Sequence, residues 1–175
     1  MVKTLHLLRH AKSSWKHPEL ADHDRPLSKR GRRAADAMAR RFAELGTPDL
    51  VLCSTALRTR QTLERVSAGL EPAKIMLEPA IYGGGSRQLM NLLAQLPESA
   101  GTVLVIGHNP TLHQLALALA TARSIRRLPA RDEKFPTGAL ATFEFAGKWR
   151  DLQAGKAAVV AYVTRGDLDD KAEDA

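Results

Sequence analysis

Apolar and polar positions follow two rhythms along this chain. Continuous apolar runs, VKTLHLL (2–8), DLVLCS (49–54) and GTVLVIG (101–107), read as strands buried on both faces. AKIMLE (73–78) is a further candidate, and GALATFEF (138–145) and AAVVAYVT (157–164) flank the turn-like AGKWRDLQAGK. Between strands the period becomes helical. RPLSKRGRRAADAMARRFAELG sets Ala34, Ala35, Met38, Phe42 and Leu45 on one helical face, with Ser28 as N-cap and Gly46 as stop. Ser54 or Thr55 can cap a second helix running to about Gly69. A third is expected from about Ser86 to Leu96 after the flexible YGGGS, and a fourth from Pro110 or Thr111 to near Ala122. This alternation predicts a three-layer α/β/α sandwich around a mostly parallel central sheet.

No internal repeat or low-complexity linker interrupts the pattern, so residues 1–165 are expected to form a single domain. The last ten, GDLDDKAEDA (166–175), carry five acids against one lysine and read as a frayed acidic tail. At 175 residues, such a chain can bury about two-thirds of its unfolded surface without disulfides or metals. Segment 123–138, RSIRRLPARDEKFPTG, reads only as a long loop near the domain edge.

Charge changes this picture locally. The net +7 is concentrated between Lys3 and Arg41, where eleven Lys or Arg face four Asp or Glu. Aromatics make up 5% of the chain and do not interleave with the basic residues, so a nucleic-acid partner is not expected. Arg30, Arg32, Arg33, Arg40 and Arg41 read as a solvated helix face. The single cysteine, Cys53, excludes an internal disulfide and a thiolate metal cluster, and reads as a small core residue. The N-terminal apolar run is too short for a signal peptide and no later run reaches membrane-spanning length. A cytoplasmic protein with no membrane partner is the expectation.

Three of the strands end in reactive side chains. The first ends in Arg9-His10, the second runs into STALRTRQT with Arg58, and the third ends in GHNPT with His108. In open parallel sheets, ligands bind beyond the carboxyl ends of the strands. Helix N-termini there favour a dianion, and Arg9 with Arg58 could clamp phosphoryl oxygens from two sides. A neutral histidine can attack phosphorus through one ring nitrogen while the other is held. The set therefore reads as covalent phosphoryl transfer through phosphohistidine, with no metal and no cofactor, because arginines and helix ends supply the positive charge. His6, His17, His23 and His113 read as structural or exposed; alternation sends His6 to the same face as His10, but away from the sheet edge. Neither the HDRPLS neighbourhood nor His108-x₄-His113 has a recognised metal-ligand spacing.

These residues resemble the histidine phosphatase superfamily, also called phosphoglycerate-mutase-like. RHAKSSWK follows the family's RHGxSxWN outline, and DRPLSKRGRRAA (24–35) is similar to its PLTxxGxxQA segment. CSTALRTRQT (53–62) is similar to SPLxRAxQT, and VIGHNPTL (105–112) to the second histidine motif. The resemblance implies that His10 is the phosphorylated nucleophile and that Arg9, Arg58 and His108 complete the phosphate pocket. Ser13, Ser14 and Lys16 would be secondary substrate contacts. RHAKS and DRPLSxRG resemble most closely the short phosphohistidine phosphatase branch.

Three departures from the family pattern shape the expected substrate. Ala11 replaces the usual glycine, so the turn after the nucleophile must avoid a backbone shape that only glycine tolerates. Lys16 stands where mutases have asparagine. Glu78 is the only acid between Glu71 and Glu98, and it comes early relative to Gly83 for the family's proton donor. An imidazole leaves more easily than an alkoxide, so a missing acid favours a P–N substrate. The short interval from Arg58 to His108 lacks the substrate-covering segment of mutases, which leaves His10 open to the phosphohistidine of another protein. Two rivals stand beside this reading. One is a small-molecule phosphomonoesterase using Glu78 as acid; the other is a non-catalytic phosphate- or nucleic-acid-binding module.

Overall fold

The structure, a computed structural model, describes residues 1–67 and 74–168. Its strands are β1 (Val2–Arg9), β2 (Leu50–Cys53), β3 (Lys74–Leu77), β4 (Thr102–Gly107), β5 (Leu140–Ala146) and β6 (Ala158–Val163). They form one sheet in the order β3-β2-β4-β1-β5-β6. The contiguous pairs from β3 to β1 are parallel, while β5 runs antiparallel to both β1 and β6. The predicted mostly parallel sheet is thus present, with β5 as its one reversed strand.

Side-chain alternation divides the core between the two faces. Leu5, Leu7, Leu50, Leu52, Val103 and Val105 point to one side and pack with Leu89, Leu93, Leu112 and Leu115. Leu8, Val51, Cys53, Leu104 and Ile106 point to the other and pack with Met38, Phe42 and Leu63. Helices α4 (Ser86–Ala94) and α5 (Thr111–Leu119) therefore cover the first face, and α1 (Lys29–Leu45) and α2 (Leu57–Val66) the second. Each fully buried leucine or valine here contributes about 1.5–3 kcal/mol, which is why the inner strands read as unbroken apolar runs. β3 lies at the edge and leaves Ile75, Met76 and Leu77 exposed.

The predicted caps of α1 form, but neither Ser54 nor Thr55 caps α2: its N-cap is Ala56, which makes no side-chain cap hydrogen bond. Gly31 N–H donates to Ser28 Oγ at 3.0 Å at the start of α1. Gly46 ends it with φ 82° and an N–H donated to the Phe42 carbonyl. Gly31 also has a packing role: a Cβ there would stand 2.1 Å from the Lys12 carbonyl oxygen, so only glycine lets the first turn of α1 press on the loop after His10.

Several boundaries differ from expectation. α5 stops at Leu119 rather than Ala122, because Ala120 turns extended and bridges to Ala157, drawing the chain toward the start of β6. β5 begins at Leu140 rather than residue 138, because Gly138 has φ 79° and its N–H donates to the carbonyls of Arg9 and His10. α4 ends at Ala94, two residues short of the expected end. Part of the expected YGGGS loop is instead ordered in a short helix α3 (Ala80–Gly83). The predicted end of α2 near Gly69 lies outside the described residues. Of the expected tail, Gly166 to Leu168 are described: the Asp167 carboxylate accepts from Thr164 N–H and Oγ1, and Leu168 packs against the core. Among the described residues, no helix is long and apolar enough to cross a membrane.

Candidate active site

Sheet register brings three strand ends level. Arg9 lies beside Gly107, and Cys53 beside Ile106. His10 N–H donates to the Gly107 carbonyl and Ser54 N–H to that of Ile106, each at 3.0 Å. His10 and His108 consequently face each other with ring centroids 5.0 Å apart.

The two rings are held differently. His10 Nδ1 lies 2.7 Å from the Ala11 carbonyl oxygen, so Nδ1 carries the proton and Nε2 keeps its lone pair. Ala11 is fixed in turn: its N–H donates to Thr62 Oγ1 at 3.1 Å, and Thr62 Oγ1 donates to the Arg58 carbonyl at 2.7 Å. No non-glycine residue among those described has positive φ, so alanine serves after His10 without strain. His108 Nε2 lies 2.7 Å from Ser54 Oγ, while its Nδ1 is buried without a protein partner. Burial lowers the His10 pKa to about 3, with the Ala11 hydrogen bond opposing and His108 and Arg58 adding to the fall. Burial likewise lowers His108 to about 4, with Arg58 adding. Both rings are therefore neutral at pH 7.

Arg58, in the first turn of α2, is only 7% exposed and is fixed by Asp22. Its Nη1 donates to the Asp22 carbonyl at 2.5 Å and its Nη2 to Asp22 Oδ2 at 2.9 Å. Asp22 also accepts from Tyr82 OH at 3.0 Å and from Arg25 Nη1 at 2.9 Å. Burial acts to raise the Asp22 carboxyl, but hydrogen bonds from Arg58 and Tyr82 outweigh it and hold the group at about 2. Arg25 is the hub of the 11–28 loop. It donates to Ser14 O and Ser13 Oγ as well as Asp22, and its guanidinium stacks 3.2 Å from the centroid of the Trp15 ring. Tyr82 meets the His108 ring edge-on at 5.5 Å and the His23 ring at 4.9 Å.

Arg9 enters from the other side. Its Nη1 donates to the Phe135 carbonyl at 2.6 Å, an oxygen that also accepts from Asn109 Nδ2 at 3.0 Å. Arg9 Nε is buried without a protein partner. Burial lowers the Arg9 pKa, and the nearby Arg58 charge adds to the fall. Two guanidinium groups thus repel across a desolvated pocket, and an anion between them would relieve that cost.

The structure brings together Arg9, His10, Arg58 and His108. Ser14 is tied to its own loop: its N–H donates to the Pro26 carbonyl and its Oγ accepts from Lys16 N–H. Ser13 Oγ is taken by Arg25, and Lys16 is exposed. The Glu78 carboxylate accepts from Ala80 N–H at 3.0 Å at the start of α3. His6 bonds to Thr142 Oγ1 at 3.0 Å, His113 to the Pro129 carbonyl at 3.0 Å, and exposed His17 sits 3.3 Å from Glu19. Burial raises the Cys53 thiol to about 12, as expected of a core residue. His23 is more than a loop histidine, since it links Thr55 Oγ1 at 3.0 Å to the Tyr82 ring. Among the described residues, no three of His, Cys, Asp and Glu converge as metal ligands.

Sequence reasoning missed Asp22, Tyr82 and the Phe135 carbonyl. Asp22 had a usable signal, because an acid inside a strongly cationic stretch is where the counter-charge of a buried arginine would be sought. Segment 123–138 is no bare edge loop, since it buries Phe135 and Leu128 and anchors Arg9.

A family profile, histidine phosphatase superfamily (branch 1), matches residues 5–81. An uncharacterised protein of Mycobacterium tuberculosis is 39% identical over 159 residues, covering 89% of this chain and 98% of the relative. A structure provisionally named phosphohistidine phosphatase SixA, from Nakamurella multipartitia, is 33% identical with a TM-score of 0.79, covering 94% of this chain and 96% of that one. A second with the same provisional name, from Agrobacterium tumefaciens, is 29% identical with a TM-score of 0.78, covering 93% and 97%. Fold, strand-end residues and matches agree, and the chain belongs to the histidine phosphatase superfamily, as a hydrolase of the phosphatase class.

Proposed function

We propose that this protein is a phosphohistidine phosphatase, in which His10 takes the phosphoryl group from the phosphohistidine of another protein and passes it to water. The observation that carries the reading is the ring pair: two neutral histidines 5.0 Å apart, with His10 Nδ1 tied to a backbone carbonyl. In the first step, His10 Nε2 forms a bond to phosphorus as the P–N bond to the substrate imidazole breaks, and that imidazole leaves with the bond's electron pair and takes a proton from solvent water. In the second, water attacks the phosphorylated His10, releasing inorganic phosphate and restoring the free ring. Arg9, Arg58 and His108 stabilise the transferring oxygens, with Ser14 as a secondary contact. No metal or other cofactor takes part. The same reading makes it a signalling enzyme of the cytoplasm.

The acids near the site favour P–N over P–O cleavage. Asp22 is held at about 2 and is a poor proton donor at neutral pH. The Glu78 carboxylate is engaged by its own helical turn. The provisional names of the Nakamurella and Agrobacterium structures support the same substrate class.

Incubation with a phosphohistidine-bearing protein followed by rapid quench should leave acid-labile phosphate on the wild type and none on His10→Ala. No label on the wild type, or label persisting in the variant, overturns the mechanism. Glu78→Gln separates the phosphomonoesterase rival: a steep loss of aryl phosphate hydrolysis supports that rival, and an unchanged rate removes it.

A further inference from the structure

The basic residues around the start of α1 form a surface that the phosphate chemistry leaves unused. Two adjoining cavities open there. One, of about 710 Å³, is lined by Lys29, Arg30, Arg33 and Arg165; the other, of about 290 Å³, by Lys12, Arg30, Thr137, Thr164 and Arg165. Neither has an acidic residue in its lining. Among the described residues, no carboxylate pairs with Lys12, Lys29, Arg30 or Arg33.

This placement works against the fold's own stability. A helix N-terminus is the positive end of the macrodipole and favours Asp or Glu, yet the first turn of α1 has no acid and carries Lys29 and Arg30, with Arg33 one turn on. Like charges crowded at that end repel the dipole and each other. An anionic partner is the complement that turns the arrangement to use.

The surface also adjoins the nucleophile on two sides. Lys12 lies two residues beyond His10, and its carbonyl accepts from Ser28 N–H at 2.9 Å and Ser28 Oγ at 3.0 Å, so the start of α1 is pinned to the His10 loop. Thr137, which lines the same cavity as Lys12, precedes Gly138, whose N–H donates to the Arg9 and His10 carbonyls, each at 3.1 Å. No aromatic ring lines either cavity, which disfavours base stacking and hence nucleic acid.

We infer that this cationic face docks an acidic surface of the protein that delivers the phosphohistidine. The inference rests on the phosphatase reading above. The phosphorylated imidazole would enter between Arg9 and Arg58 while carboxylates around it meet Lys12, Lys29, Arg30 and Arg33.

The test compares two substrates, an acidic phosphohistidine-bearing protein and the small molecule phosphoimidazole, on wild type and on Lys29→Glu with Arg33→Glu. Both positions are exposed, and the acids suit the helix terminus, so the variant's melting temperature should hold or rise. The expected result is a KM for the protein substrate raised about tenfold or more, with kcat and phosphoimidazole turnover unchanged. Wild-type kcat/KM for the protein should also fall with added salt more steeply than for phosphoimidazole. An unchanged KM for the protein, or an equal loss on both substrates, overturns the inference alone. Salt-dependent nucleic-acid binding that the charge reversal abolishes, with the protein KM unmoved, overturns it in favour of that ligand. No wild-type turnover of either substrate overturns the phosphatase reading and the docking face with it.

Discussion

The loop over residues 11–28 and the loop over 128–138 approach the histidine pair from different sides, and different forces hold them. The first is organised by charge. Arg25 gathers Ser13, Ser14, Trp15 and Asp22, and Asp22 passes the connection to Arg58. The second is organised by burial. Phe135 is fully buried against the His113 and Tyr162 rings, and its backbone carbonyl holds Arg9. The two pocket arginines are thus positioned by unlike means: one by a carboxylate whose side chain is 54% exposed, the other by a neutral oxygen locked to the core. Stability and catalysis should therefore separate in the first loop and move together in the second.

The largest effect is expected in the second loop. Phe135→Ala empties a buried aromatic site and should cost about 3–5 kcal/mol of stability in chemical denaturation. It should also lower kcat, because the carbonyl that fixes Arg9 moves with the collapsed loop. A destabilised variant that keeps full kcat would break the proposed coupling.

Asp22→Asn is the matching change in the first loop. It removes the charge that fixes Arg58 and should lower kcat/KM about tenfold, the equivalent of one lost charge-assisted hydrogen bond. Unfolding free energy should shift by only about 0.5 kcal/mol, because the side chain is half exposed. If kcat/KM is unchanged or rises, Asp22 competes with the phosphoryl group for Arg58 instead of positioning it.

The smallest effect on activity is expected from acid, which acts on stability instead. Burial lowers His6 and His108 to about 4 and His10 to about 3, below the unfolded value of 6.5. The unfolded chain then binds more protons than the native one below pH 6.5, so stability is lost as pH falls from 6.5 toward 4. Activity should follow a different course: kcat should stay nearly level from pH 7 to 5, because His10 remains neutral, and a half-maximal point at pH 6.5 would contradict the burial of His10.

The same contrast explains what could be read before the structure. The 11–28 loop carries its signal in side-chain identities: RHAKS and DRPLS mark the site's motifs and Ser28 the cap of α1, and that cap is present. Even there, among the described residues the side chain of the motif's own Asp24 meets His23, while that of Asp22 carries the link to Arg58. The 128–138 loop acts on Arg9 through a main-chain carbonyl, which every residue possesses and no residue type announces. Tyr82 was hidden for another reason, since the expected flexible loop is partly the helix α3, which brings its hydroxyl to Asp22.

Local chemistry along the chain determined the strand and helix alternation, the caps of α1, and the presence of two histidines and two arginines at strand ends. Those features follow from period, side-chain type and neighbours within a few residues. Tertiary structure decided which groups hold the site: the carboxylate on Arg58, the carbonyl on Arg9, the Ala11 oxygen that sets the His10 tautomer through a loop pinned by Thr62, and the cationic face beside His10. These depend on sheet register and on loops separated by up to 126 residues from the groups they fix, and periodicity in one chain carries no term for such contacts.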